Sequence, residues 1–172
     1  MSEPSNPVVV HYDTEELDPL SPEQTFVLKE FKKYKFDSLN ITTDNFITPN
    51  EGIQEREPSV HSLFGRDRVF EKPSDLITGI HRENVAHIHY SDGSWTSDMK
   101  QWYCTSNLAL VYSGFELKDK FHFVVHELLL NEDSEPDFDA HDSYEREDVE
   151  FYIENAEYLR KAVEKQSEND DD

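Results

Sequence analysis

Three stretches in the middle of the chain carry the residues that pleated, half-buried surfaces favour: residues 84–90 (NVAHIHY), 107–113 (NLALVYS) and 120–130 (KFHFVVHELLL). Each is expected to be a strand. In the first, Ala86, Ile88 and Tyr90 alternate with His87 and His89; in the third, Phe121, Phe123 and Val125 are set against His122 and His126. Period-two alternation puts the aromatic and aliphatic residues on one face and the four histidines on the other. The middle stretch is apolar on both faces, so Tyr112 fits either. Gly93 and Gly114 fall in the connections, where turns are expected. The short second connection, 114–119, predicts an antiparallel hairpin. The longer first connection holds Trp95, Lys100, Trp102 and Tyr103, a composition that suits a functional loop.

Helical spacing appears on either side of this core. Ser21-Pro22-Glu23-Gln24 reads as a helix start, with a Ser cap, Pro in the first position and an acid in the first turn. Val27, Phe31 and Tyr34 then share a face, flanked by Leu28 and Lys35, and the helix is expected to run to about Lys35. Near the other end, Val149, Ile153, Ala156, Leu159 and Val163 repeat at helical spacing, and Tyr152 widens the stripe. A helix over 143–166 should therefore dock on the body. Residues 8–12 (VVVHY) suggest a short strand, Pro73-Ser74-Asp75 a cap for a short helix, and 37–59 a long loop. The predicted fold class is α+β: a small antiparallel meander with helices packed on one face, leaving the histidine face free. The expected organisation is a flexible acidic N-terminus at 1–20 and an α+β domain at 21–130 with an insertion near 37–62. An acidic linker, helix and tail follow at 131–172.

Composition adds limits. With 172 residues, 35% hydrophobic and 12% aromatic, the chain can build one modest core. No apolar run reaches membrane-spanning length and no signal-like apolar region opens the chain, so a soluble cytoplasmic protein is expected, with no membrane partner. Cys104 is the only cysteine, which excludes an intrachain disulfide and a multi-Cys zinc site. The net charge of −22 argues against general nucleic-acid affinity, but it is uneven. Residues 1–58 carry 5 basic and 12 acidic groups (net −7), 59–130 carry 7 and 9 (net −2), and 131–172 carry 4 and 17 (net −13). The flanks hold the acid, and the central stretch is near neutral. Lys29, Lys32, Lys33 and Lys35 form the densest basic cluster, either a solvated helix face or a contact to RNA phosphates.

Leu63-Phe64-Gly65-Arg66-Asp67, then Val85-Ala86-His87-Ile88-His89, then Thr105-Ser106-Asn107 leading to Leu110-Val111-Tyr112, in that order and spacing, resemble the YafO family of bacterial toxins. The resemblance is good over about 63–113 and fades after 130. It implies a toxin of a type II toxin–antitoxin pair, a messenger-RNA endoribonuclease that acts with the ribosome and has a cognate antitoxin. It also implies a compact RelE/ParE-like fold. Two departures stand out: the long acidic extensions, and Cys104 where a basic residue is expected.

Metal-free RNA cleavage requires a base, an acid and a phosphate clamp. Histidine titrates in the right range for the first two, and Arg or Lys suits the third. His87 and His89 are the expected acid–base pair, Arg66 and Lys100 the clamps, and Tyr112 a supporting donor. Lys32, Lys33, Arg68, Trp102 and Tyr103 are expected to contact RNA, the aromatic pair by stacking. Asp67 is read as a local ion-pair partner of Arg66, and Gly65 as a turn. No cofactor or metal is expected. Two other classes compete: a non-catalytic acidic binding protein (an inactive relative or a nucleic-acid mimic), and a metalloenzyme using His87, His89, His122 and His126 as zinc ligands. Strand histidines without any role are the plainest alternative.

Overall fold

The computed structural model describes residues 7–130 and 144–170. Residues 1–6 of the expected flexible N-terminus, the expected acidic linker at 131–142 and the last two residues lie outside the described residues. Five strands, β1 (Val8–Tyr12), β2 (Phe64–Val69), β3 (Ala86–Tyr90), β4 (Leu108–Leu117) and β5 (Lys120–Leu129), form one sheet. Its order is β1-β5-β4-β3-β2. The meander β3-β4-β5 is antiparallel, and β2 joins it antiparallel at the far edge. β1 lies parallel to β5, pairing Val8 with Phe121 and Tyr12 with Val125. The sheet is therefore mixed rather than purely antiparallel, and Val8–Tyr12, inside the stretch expected to be a flexible N-terminus, belongs to it.

The helices are α1 (Thr14–Leu17), α2 (Pro22–Ile41), α3 (Glu51–Arg56), α4 (Ile77–Glu83) and α5 (Arg146–Asp170). The α2 start is as expected, with Ser21 as cap and Pro22 opening the helix, and the structure adds that Gln24 closes a capping box with Ser21. It runs six residues past Lys35, because Leu39 still meets the core. The stretch beyond is not a bare loop, since it contains α3 and a 3₁₀ turn at Thr43–Asn45. In the hairpin, Lys118 and Asp119 form the turn with φ of 51° and 63°, while Gly114 sits inside β4. Paired left-handed residues match the twist of two-residue hairpins. Gly114 is needed in the strand for space, since a Cβ there would lie 2.4 Å from Ile47 Cδ1.

Two apolar clusters sandwich the sheet. On one face α2 packs Val27, Phe31 and Tyr34 against Ile88, Leu110, Tyr112 and Phe123. On the other, α4 and α5 pack Ile80, Val149, Tyr152 and Ile153 against Phe70, Val85 and Val111. Helices thus cover both faces, which corrects the one-sided expectation. The physical reason lies in β4, which is apolar on both sides and needs two covers. α5 continues as helix to Asp170, so the expected charged tail from 167 is helical up to that point. Arg160 ties α5 to α4 with a two-pronged grip on the buried Glu83 carboxylate, at 2.9 and 3.0 Å.

Candidate active site

The cover over the histidine face is incomplete, and the incomplete part is the candidate site. His126 is fully buried under α5. Its Nε2 meets Ser113 Oγ at 2.9 Å, and its Nδ1 meets Asn155 Nδ2 at 3.1 Å. His122 pairs instead with His11, 3.0 Å from Nδ1 to Nε2, beyond β5. The four histidines therefore do not gather. Among the described residues no group of three or more His, Cys, Asp or Glu side chains is placed to hold a metal ion.

His87 and His89 lie at the β2 side of the sheet, their ring centroids 6.2 Å apart. Arg68 stands directly opposite His87 in the β2–β3 ladder. The register slips between Phe64 and Asp67, and Arg66 lies in the slipped segment, two residues from Arg68 and on the same side of the strand. These four side chains, with Phe70, Lys72, Glu71 and Tyr144, line an open cleft of about 500 Å³. Tyr144, just before α5, packs over Phe70 and His87 with ring centroids at 5.0 and 5.1 Å.

His89, Arg66 and Arg68 are each held by a polar partner. Ser106 presents both backbone groups to His89 Nδ1, the N–H at 3.0 Å and the carbonyl at 2.9 Å. Neutral imidazole can accept from the N–H, and imidazolium can donate to the carbonyl, so either protonation state is held in place. The Ser106 hydroxyl is itself fixed by the Tyr90 carbonyl at 2.5 Å. Arg66 donates through Nε to the Trp102 carbonyl at 2.8 Å, and its guanidinium carbon lies 4.3 Å from the Trp102 ring centre. Partial burial, with Arg68 adding like charge, draws the Arg66 guanidinium below its ordinary pKa. Arg68 bonds Glu71 at 2.6 Å in an exposed pair, a kind that contributes little stability.

The other expected site residues are placed elsewhere. Tyr112 is fully buried on the opposite face of the sheet and is withdrawn from the cleft. Lys32 and Lys33 are exposed on α2, also across the sheet, and Lys33 pairs with Glu30 at 3.3 Å. Lys100 opens the 3₁₀ turn Gln101–Tyr103 and does not line the cleft. Trp102 lines an adjoining hollow with Arg68, Phe70 and Glu71, and Tyr103 is 58% exposed beside it. Gly65 is no turn. It lies in β2, where a Cβ would come 2.1 Å from the Cys104 carbonyl oxygen.

Asp67 is not the partner of Arg66. It points into the core and takes the Lys35 ammonium at 2.8 Å, together with the hydroxyls of Tyr34 and Tyr112. Lys35 also donates to the Tyr112 hydroxyl at 2.7 Å and to the Ile47 carbonyl at 2.6 Å. Burial pulls the Lys35 pKa down, and Asp67 opposes that. Sequence reading missed this network. Its one signal was a lysine beside the apolar stripe of α2.

Comparison with curated proteins found no match, and comparison with solved structures found none either. The family model described as toxin YafO of the type II toxin–antitoxin system matches residues 32–161, a span that takes in the cleft, the buried network and most of α5. The chain is a member of the YafO toxin family of type II toxin–antitoxin systems.

Proposed function

We propose that the protein is an endoribonuclease that cuts messenger RNA on the ribosome in the cytoplasm, and that a cognate antitoxin holds it in check. The observation that supports this most is the convergence of His87, His89, Arg66 and Arg68 on one cleft. In the reaction, one imidazole takes the proton from a ribose 2′-hydroxyl as its oxygen attacks phosphorus. The other imidazole gives a proton to the departing 5′-oxygen. A 2′,3′-cyclic phosphate and a free 5′-hydroxyl result, with no redox step and no metal required. Arg66, its Nε committed to Trp102, turns its remaining guanidinium donors to the phosphate, where charge grows in the transition state. Arg68 joins it once released from Glu71. Trp102 and Tyr103 offer ring faces to a neighbouring base.

His87 is half-buried and His89 is 3% exposed, so His87 is the more accessible of the two. Cleavage of a message on programmed ribosomes, mapped by primer extension, tests the reading. His87→Ala and His89→Ala should each slow cutting by about 10²–10⁴-fold. Arg66→Lys should fall between wild type and Arg66→Ala, because the charge remains and the fork is lost. Undiminished cutting by the double histidine variant would remove both from the chemistry.

A further inference from the structure

We propose that Gln54 and Gln101 are positioning residues that clamp the outer edge of β2 and so set Arg66 against Trp102. The inference deepens, and rests on, the RNA-cleaving reading of the cleft. β2 is an edge strand, so its outer backbone groups have no neighbouring strand to pair with. Buried backbone groups must still be satisfied, and two glutamine side chains do it. The Gln54 amide lies against Asp67 as a strand would: its Oε1 accepts from the Asp67 N–H at 3.1 Å, and its Nε2 donates to the Asp67 carbonyl at 2.9 Å. Gln101 Nε2 donates to the Gly65 carbonyl at 3.0 Å and to the Tyr34 hydroxyl at 2.7 Å. Between these two anchors the Arg66 N–H donates to the Cys104 carbonyl at 3.0 Å.

The clamp therefore brackets Arg66 on both sides. Gln101 is also the residue before Trp102, and its own N–H is tied to the Glu57 carbonyl at 2.9 Å. Its side chain thus fixes the distance between β2 and the turn whose carbonyl and ring hold the Arg66 guanidinium. Both glutamines are buried, at 1% and 5% exposure, and neither lines the cleft of the two histidines. They act through Arg66. A misplacement of about 1 Å at a reacting group can cost on the order of 10²-fold in rate.

The side-chain Nε–H of Arg66 reports this directly in an NMR spectrum, because it is bonded to a carbonyl and its guanidinium lies over an indole ring; Arg66→Lys assigns the signal. In Gln101→Ala the signal should move toward that of a solvated arginine, and the kcat for RNA cleavage should fall about 10²-fold. Gln101→Glu keeps the volume, replaces the donating amide by an acceptor, and should do the same. Should both variants misfold, Tyr34→Phe removes one of the two acceptors of Gln101 with little loss of packing, and should move the signal part of the way. An unmoved Arg66 signal in a folded variant overturns the proposal, as does a moved signal with unchanged cleavage. A moved signal in a protein whose wild type cuts no RNA supports the clamp and sinks the RNA reading instead.

Discussion

Lys35 departs from the lysines beside it on α2. Lys29, Lys32 and Lys33 are exposed, while Lys35 is 1% exposed and sits among Phe31, Tyr34, Tyr112 and Phe123, 4.3 Å from the Tyr112 ring centre. A buried ammonium is tolerated here because one carboxylate, one hydroxyl and one carbonyl satisfy its three donors. Removing the carboxylate should therefore be expensive. Asp67→Ala is expected to lower stability by about 3–5 kcal/mol in urea unfolding. Adding Lys35→Met to that variant should recover part of the loss, since the stranded charge is gone, and the double-mutant cycle measures the coupling. Additive costs would show that the two charges do not depend on each other.

Among the elements, β2 and the 3₁₀ turn behave as one unit. Gly65 lets the two backbones touch: a Cβ at that position would meet the Cys104 carbonyl oxygen at 2.1 Å and its Cβ at 2.7 Å. The obstacle is main chain, so no rotamer change relieves it. Gly65→Ala should push the turn away from β2 and cost about 1–3 kcal/mol, as overpacking does. It should also break the Arg66–Trp102 arrangement and lower RNA cleavage. A melting temperature and an Arg66 signal equal to wild type would show that the turn can yield. On the far side of the sheet, α5 owes its place to the stripe Val149, Tyr152, Ile153 and Ala156, all buried. No helix among the described residues is long and apolar enough to cross a membrane.

At the scale of the whole molecule, the burial that orders the histidine face also makes it sensitive to acid. Burial depresses His126 to about 4; burial does the same to His122, with His11 and Lys120 adding positive charge. Unfolded histidine titrates near 6.5, so the unfolded chain takes up the proton first. Stability from His126 is thus complete above about pH 6.5 and is lost as pH falls toward 4. The full loss is roughly 3 kcal/mol. Burial, with Asp148 and Glu16 nearby, pushes Glu127 up, which works in the opposite sense, and the net charge of −22 relaxes on acidification. The difference between wild type and His126→Gln isolates the histidine term. That difference should be constant above pH 7 and shrink steadily between 6.5 and 4. A difference that does not change with pH would mean that His126 titrates normally in the fold.

What the sequence determined by itself was local. Alternation fixed β3 and β5 and told which of their residues share a face, because side-chain direction in a strand follows from the backbone alone. The Ser21 cap and the α5 stripe were legible because they too are local, and the order and spacing of residues 63–112 carried the family. Which side chains meet was set by how the elements dock. The pairing of Lys35 with Asp67 spans 32 residues, and that of Gln101 with Tyr34 spans 67. Neither leaves a periodic trace, since each is set by where β2 docks. The cover of α5 over His126 and the placing of Tyr112 beneath the sheet go with a β4 that is apolar on both faces and meets a helix layer on each, and the separation of His87 and His89 from His122 follows from the strand order, which sets β4 between β3 and β5. The candidate site is the part of the histidine face that the second layer leaves open.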